Sequence, residues 1–356
     1  MDRILVVLPN WFGETLFATP FLRELRRQRP DAWVATLGWP QCREVLLHNP
    51  HVQERLDYDE RGAHRGLLAK WRLIEALRWR RFDTAFILRR SLSRSLLLVL
   101  ARIPARVGFA NPKSGWLLTQ AVPSPAAPSS GRRPEPGRGT PAHKAVIYLR
   151  LLDAVGLSGG DAGGFDYTVA EVERQAARVL LSDVTAGGEP LVILHPGANW
   201  AHKRWAPERF AALGDRLAAE RGARIAITGG PGDRALAEDI QRRMSQPVSV
   251  LAGHTGLREL AACLEQAQLV VANDTGVLHI AAALGRPLLA LYGPTSPLLT
   301  GPLGHAERTV VLHHPDCCPE VPCYRPGPAG PAHPGMDAIT VDEAYAAAVQ
   351  LLDQHG

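Results

Sequence analysis

The stretch VVANDTGVLHIAAALGRP, residues 270–287, decides how this chain reads. An apolar run ends at Asn273, Asp274-Thr275-Gly276 turns the chain, and a helical pattern starts at once. A strand passing directly into a helix is the repeating unit of a parallel α/β sheet. Thr275 and Gly276 stand where the first N–H groups of a helix lack intrahelical partners, and such an end suits an anion such as a diphosphate. His279, three residues on, falls at the same end of the helix. Asp274 or Thr275 could equally be plain helix caps, and the stretch alone leaves both readings open.

The same unit repeats on either side. Upstream lie LVILH (191–195), a helix over 207–221, RIAIT (224–228), a helix over 233–244, VSVL (248–251) and a helix over 256–266; downstream lies PLLALY (287–292). LHPGANWAHKRWAPERF (194–210) ends a strand at His195, carries Asn199, and places Lys203-Arg204 ahead of a helix opened by Pro207. A lysine there is either a solvated basic residue or the charge that neutralises a departing phosphate. In TGGPGD (228–233), Asp233 either caps a helix or takes a ribose hydroxyl. With neither a Walker A pattern nor G-x-G-x-x-G, the loops do not read as an ATPase or a dinucleotide oxidoreductase. Three such loops after three strands assign nucleotide binding to this half.

The first half alternates in the same way: ILVVL (4–8), a helix over 15–29, WVATL (33–37), helices near 41–48 and over 67–80, and TAFIL (84–88). Its opening loop, PNWFGETLFATP (9–20), has one glycine and a carboxylate, Glu14. Glu14 is either a helix-N-terminal acid favoured by the dipole or a general base for an incoming hydroxyl. VPSPAAPSSGRRPEPGRGTP (122–141) can neither pack a core nor continue a helix, so it reads as a mobile loop or linker, and HKAVIYLRLLDAVGL (143–157) resumes a helix. The expected organisation is two Rossmann-like doubly wound α/β domains, 1–175 and 186–340, facing a central cleft, with a terminal helix over 341–356 whose docking place the sequence leaves open.

Composition narrows the class. Of 356 residues, 46% are apolar, enough for two cores. No run approaches the roughly 18 apolar residues of a membrane span, and the N-terminal apolar stretch is too short for a secretory leader. Five cysteines, two of them isolated (Cys42 and Cys263), make no secreted disulfide framework, so the expected location is cytoplasmic. The net charge of +5 hides segregation: residues 61–150 hold 18 Lys/Arg and three acids, leaving 22 basic against 32 acidic residues elsewhere. A clustered field of that kind suits nucleic acid, an anionic membrane surface or a phosphorylated substrate. Trp71 and Trp79 lie within it and are expected to pack into the N-terminal core rather than at a headgroup interface. HHPDCCPEVPC (313–323) offers zinc-type ligands in Cys317, Cys318 and Cys323 with His313 or His314, but adjacent cysteines fit no standard zinc spacing. A loop with reduced thiols, and no metal, is expected.

Taken together, FGETLFATPFLRELR, HPGANWAHKRWAPERF, NDTGVLHIAAALGRP and ALYGPTSP resemble the lipopolysaccharide heptosyltransferases, glycosyltransferase family 9. The likeness runs over nearly the whole chain, and NWFGE and TSPLLTGPLG are similar to the second-heptose type more than to the first. This resemblance implies a glycosyltransferase B fold, an ADP-heptose donor, inversion without a metal or cofactor, and an inner-core lipid A acceptor at the inner face of the cytoplasmic membrane. It implies that Glu14 is the general base, where the family usually has Asp, that Lys203 meets the donor phosphate, and that Asn199, on the same loop, is donor-binding. Asp274, Thr275, Gly276 and His279 match the donor-binding motif, while Asp233 and Thr255 fall near donor contacts. The basic segment then meets an acidic acceptor or anionic lipid rather than nucleic acid, with Arg61, Arg65, Lys70, Arg72, Arg78, Arg80 and Arg81 as acceptor-side candidates. The rival readings are a related sugar-nucleotide enzyme, such as an epimerase or another hexosyltransferase, and a non-catalytic polyanion-binding protein.

Overall fold

The first half of the chain supplies β1 (Arg3–Val7), β2 (Trp33–Gly38), β3 (Glu54–Asp57), β4 (Thr84–Ile87), β5 (Ala105–Phe109) and β6 (Gln120–Val122). They form one parallel sheet in the order β3-β2-β1-β4-β5-β6. The structure, a computed structural model, describes residues 2–123, 142–185, 187–318, 321–323 and 333–355. Most of the Pro/Gly/Arg-rich stretch 122–141 lies outside the described residues. The chain divides into two compact units, the first ending at Thr168 and the second running from Val169.

In the first unit β1 is buried almost throughout, as expected of a strand covered on both faces. Leu5, Val7, Leu37, Phe82, Ile87 and Leu98 belong to its core. The helix expected over 15–29 is two, Phe12–Leu16 and Thr19–Gln28. The break falls just ahead of Pro20, whose missing N–H and fixed φ suit a first turn but not a helix interior.

The helix Leu67–Arg80 buries Leu73, Ile74 and Leu77. Trp71 is 51% exposed and Trp79 82% exposed, so neither packs in the core as the sequence suggested. At 3.6 residues per turn the inward stripe is already taken by 73, 74 and 77, and position 79 points almost directly away from it. Leu67 and Leu68 are exposed on the same helix.

The second unit repeats the plan with β7 (Leu191–His195), β8 (Arg224–Ile227), β9 (Val248–Val250), β10 (Leu269–Asn273), β11 (Leu288–Tyr292) and β12 (Thr309–His313), ordered β12-β11-β10-β7-β8-β9, all parallel. The helix Pro207–Arg221 starts on its proline and stops at Gly222, whose φ of 64° is the left-handed cap that glycine takes without strain. The terminal helix Val341–His355 docks here, burying Ala344, Ala348 and Leu351 in the same core as Phe210, Leu213 and Leu217.

In each sheet the first strand lies between its second and fourth: β1 between β2 and β4, β7 between β8 and β10. That reversal of strand order is the topological switch point, where the loops at the strand C-termini diverge and ligands of such sheets bind. Among the described residues, no helix is long and apolar enough to cross a membrane.

Candidate active site

In the second unit, the loops after β7 and β10 meet at the switch point. Asn273 joins them: its Oδ1 accepts from Trp205 N at 3.1 Å and its Nδ2 donates to Pro196 O at 2.8 Å. Trp205 is anchored in turn, its indole N–H donating to Ile339 O at 2.9 Å. The adjoining Asp274 is buried. Lys203 Nζ donates to its Oδ2 at 2.6 Å, and Thr295 Oγ1, from the loop after β11, donates to the same oxygen at 2.7 Å. His279 Nε2 lies 3.8 Å from Oδ1.

Burial alone would push the Asp274 carboxyl up. The charges of Lys203 and His279, with hydrogen bonds from Lys203 and Thr295, more than offset it and hold the group below its ordinary value. Asp274 is therefore a fixed anion that orients the Lys203 ammonium, whose side chain is 16% exposed and also lies 5.1 Å from the Trp200 ring centroid. Next to it, Thr275 caps the helix Gly276–Ala283, accepting from Leu278 N. The cluster thus combines an oriented cation with the positive end of a helix dipole, an arrangement that stabilises a developing phosphate charge.

Lys203, Asp274, Thr275, Gly276 and His279 come together in this way. Asp233 serves its own turn, accepting from Gly230 N at 3.0 Å with Arg204 3.8 Å away. Beside it His195, pushed down to about 4 by burial against a small opposing pull from Asp233, is a neutral imidazole bonded to Thr228 Oγ1 at 3.1 Å. Asn199 is exposed on the Lys203 loop, and the buried Thr255 Oγ1 has no hydrogen-bond partner among the described residues. Neither belongs to the Asp274 cluster. Sequence reading missed Thr295, which lies in the quoted ALYGPTSP but had no role assigned to it.

In the first unit, Glu14 sits on the short helix after β1, at that sheet's switch point. Its Oε1 accepts from Lys144 Nζ at 2.5 Å, a partner 130 residues away that the sequence did not reveal. Arg94, also missed, is buried and fixes the preceding loop, donating to Leu8 O and to Asn10 Oδ1. Among the acceptor-side candidates Arg61, Arg65, Arg72 and Arg81 are exposed and Lys70 is half-buried. Arg78 bonds Glu75 and Leu100 O, and Arg80 is committed to Glu54 through two nitrogens at 2.6 and 2.9 Å. Arg80 therefore braces the fold.

Two Rossmann-like units, one with an anion-ready switch point and one with a carboxylate at the equivalent edge, are the plan of the glycosyltransferase B fold. Residues 158–324 match glycosyltransferase family 9 (heptosyltransferase). The chain is 29% identical to lipopolysaccharide heptosyltransferase 2 of Salmonella typhimurium, over 87% of this chain and 88% of that one, and 28% identical to its Escherichia coli counterpart over the same shares. It superposes on the structure of E. coli ADP-heptose LPS heptosyltransferase II with a TM-score of 0.78 at 25% identity, covering 99% of both chains. A family 9 glycosyltransferase from Veillonella parvula shares the fold with a TM-score of 0.82, 22% identity and coverage of 99% of this chain and 97% of that one. The match to glycosyltransferase family 9 thus lies in residues 158–324, and the chain is a glycosyltransferase.

Proposed function

We propose that this enzyme transfers heptose from an ADP-activated donor to the inner core of lipopolysaccharide, inverting the anomeric centre with no metal in the transfer step. The observation that carries the reading is the Lys203–Asp274–Thr295 cluster beside the N-terminus of the helix Gly276–Ala283. In the proposed step the acceptor hydroxyl oxygen bonds to the anomeric carbon as the bond to the donor phosphate breaks. The hydroxyl proton passes to the Glu14 carboxylate, and ADP leaves with its new charge met by Lys203 and the helix terminus. The names of the relatives support the sugar and acceptor class.

The enzyme works, in this reading, at the inner face of the cytoplasmic membrane. Leu68, Trp71 and Trp79 lie exposed among Arg61, Arg65, Arg72 and Arg81, the mixture of amphipathic rings and cations that an anionic headgroup surface takes.

The test is mass spectrometry of a reaction containing ADP-heptose, an inner-core lipid A acceptor bearing one heptose, and the enzyme or Glu14→Gln. One added heptose, reduced about a hundredfold or more in the variant while ADP binding persists, is the expected result. Donor conversion without an acceptor would favour an epimerase. Full transfer by the variant would remove Glu14 from its role.

A further inference from the structure

The loop beyond β12 and the short helix Pro334–Asp337 bring together Cys318, Cys323 and His333, whose ligand atoms all lie within 4.8 Å of one another. This is not the set the sequence suggested, because His333 stands ten residues past the last cysteine and replaces Cys317, which is exposed. The spacing is C-x4-C-x9-H. Tetrahedral zinc, with bonds of about 2.3 Å to sulfur and 2.0 Å to nitrogen, sets its ligand atoms roughly 3.3–3.8 Å apart. Closing the trio on an ion therefore takes a movement of about an ångström.

A second observation points the same way. His333 is 1% exposed, and its buried Nε2 has no hydrogen-bond partner among the described residues. Its Nδ1 accepts from Gly335 N at 3.1 Å, so the neutral ring holds its proton on Nε2. Among the described residues, the buried Nε2 atoms of His202 and His313 likewise have no hydrogen-bond partner. Left bare, such a nitrogen costs stability; a metal would repay that cost.

We propose that Cys318, Cys323 and His333 bind a thiolate-preferring divalent ion of the zinc class, with water completing the coordination. Both thiols lose their protons on binding. Coordination through Nε2 moves the ring proton to Nδ1, and the hydrogen bond from Gly335 is given up. The ion is structural: Cys323 N donates to Pro294 O at 2.6 Å, and Met336 packs on Gly293. It thereby clamps the loop that presents Thr295 to Asp274, outside the transfer chemistry itself.

The experiment uses the full chain, stripped with chelator under reduction and titrated with Zn²⁺ against a chromophoric chelator, then with Co²⁺. One tight equivalent is expected, with a thiolate-to-cobalt charge-transfer band in the near ultraviolet and a melting temperature raised by zinc. Cys318→Ser, at a half-buried position, and His333→Ala should each weaken zinc binding at least tenfold, while Cys317→Ser leaves it unchanged. Failure of the wild-type chain to bind stoichiometrically, a cobalt complex without the charge-transfer band, or zinc binding untouched by Cys318→Ser or His333→Ala would overturn the site. None of these readouts depends on glycosyl transfer, so the site and the proposed function stand or fall separately.

Discussion

Lys203 and Thr295 converge on one oxygen of Asp274, at 2.6 and 2.7 Å, from loops that follow different strands. The Lys203–Asp274 pair is largely screened from water, with side-chain exposures of 16% and 8%. Its Coulombic attraction is strong, but so is the cost of having desolvated both charges.

Removing one partner strands the other. Asp274→Ala and Lys203→Ala should each destabilise the second unit by about 3 kcal/mol, whereas the double variant loses much less than the sum. Urea unfolding of the four proteins measures the coupling, and additive losses would show that the pair does not behave as a unit. Lys203→Ala should also weaken ADP binding in calorimetry.

His195 predicts a pH dependence. Its value falls from 6.5 to about 4 in the folded chain, because burial disfavours the imidazolium. Between those values the unfolded chain binds the proton and the folded chain does not, so stability is complete above pH 6.5 and is lost as pH falls towards 4. The full effect is up to about 3 kcal/mol. His202, His313 and His333 are lowered in the same direction and add to the slope. His195→Asn should reduce the slope of unfolding free energy against pH by about one proton in this window; an unchanged slope would contradict the assignment.

The helix Leu67–Arg80 predicts a separable surface. Leu68→Glu with Trp79→Glu should change stability by no more than about 0.5 kcal/mol, because both side chains are exposed. Co-sedimentation with vesicles rich in anionic phospholipid should nevertheless fall at least tenfold. Equal binding by the double variant would remove this face from membrane contact.

The second unit was the more legible half of the sequence. β7 and the helix Pro207–Arg221 have the bounds that their apolar pattern suggested, since a continuous buried run and a long periodic helix are strong signals. β3, with sequence ERLD, and β6, with QAV, escaped notice because half-exposed strands carry too few apolar residues to register. The tryptophans misled because aromatic bulk suggests burial while helical phase decides it. Motif reading found Glu14 and Asp274 but not the Lys144 or Thr295 that hold them, for such pairings arise only when distant segments meet. His333 was hidden from the cysteine pattern in the same way.

Gly197 and Gly229 carry a consequence for redesign. A Cβ at residue 197 would come within 2.6 Å of Asp233 Oδ2, and one at residue 229 within 2.7 Å of Asp233 Cβ. The loop after β7 thus meets the loop after β8 at Gly197 and Asp233, the loop after β8 folds on itself at Gly229, and neither glycine admits a side chain. A library meant to change which sugar nucleotide this enzyme accepts should keep both glycines, and Trp200 against Lys203, and diversify Asn199 and Thr255. Asn199 is exposed, and the buried Thr255 hydroxyl has no hydrogen-bond partner among the described residues, so new contacts can be made there without unseating the frame.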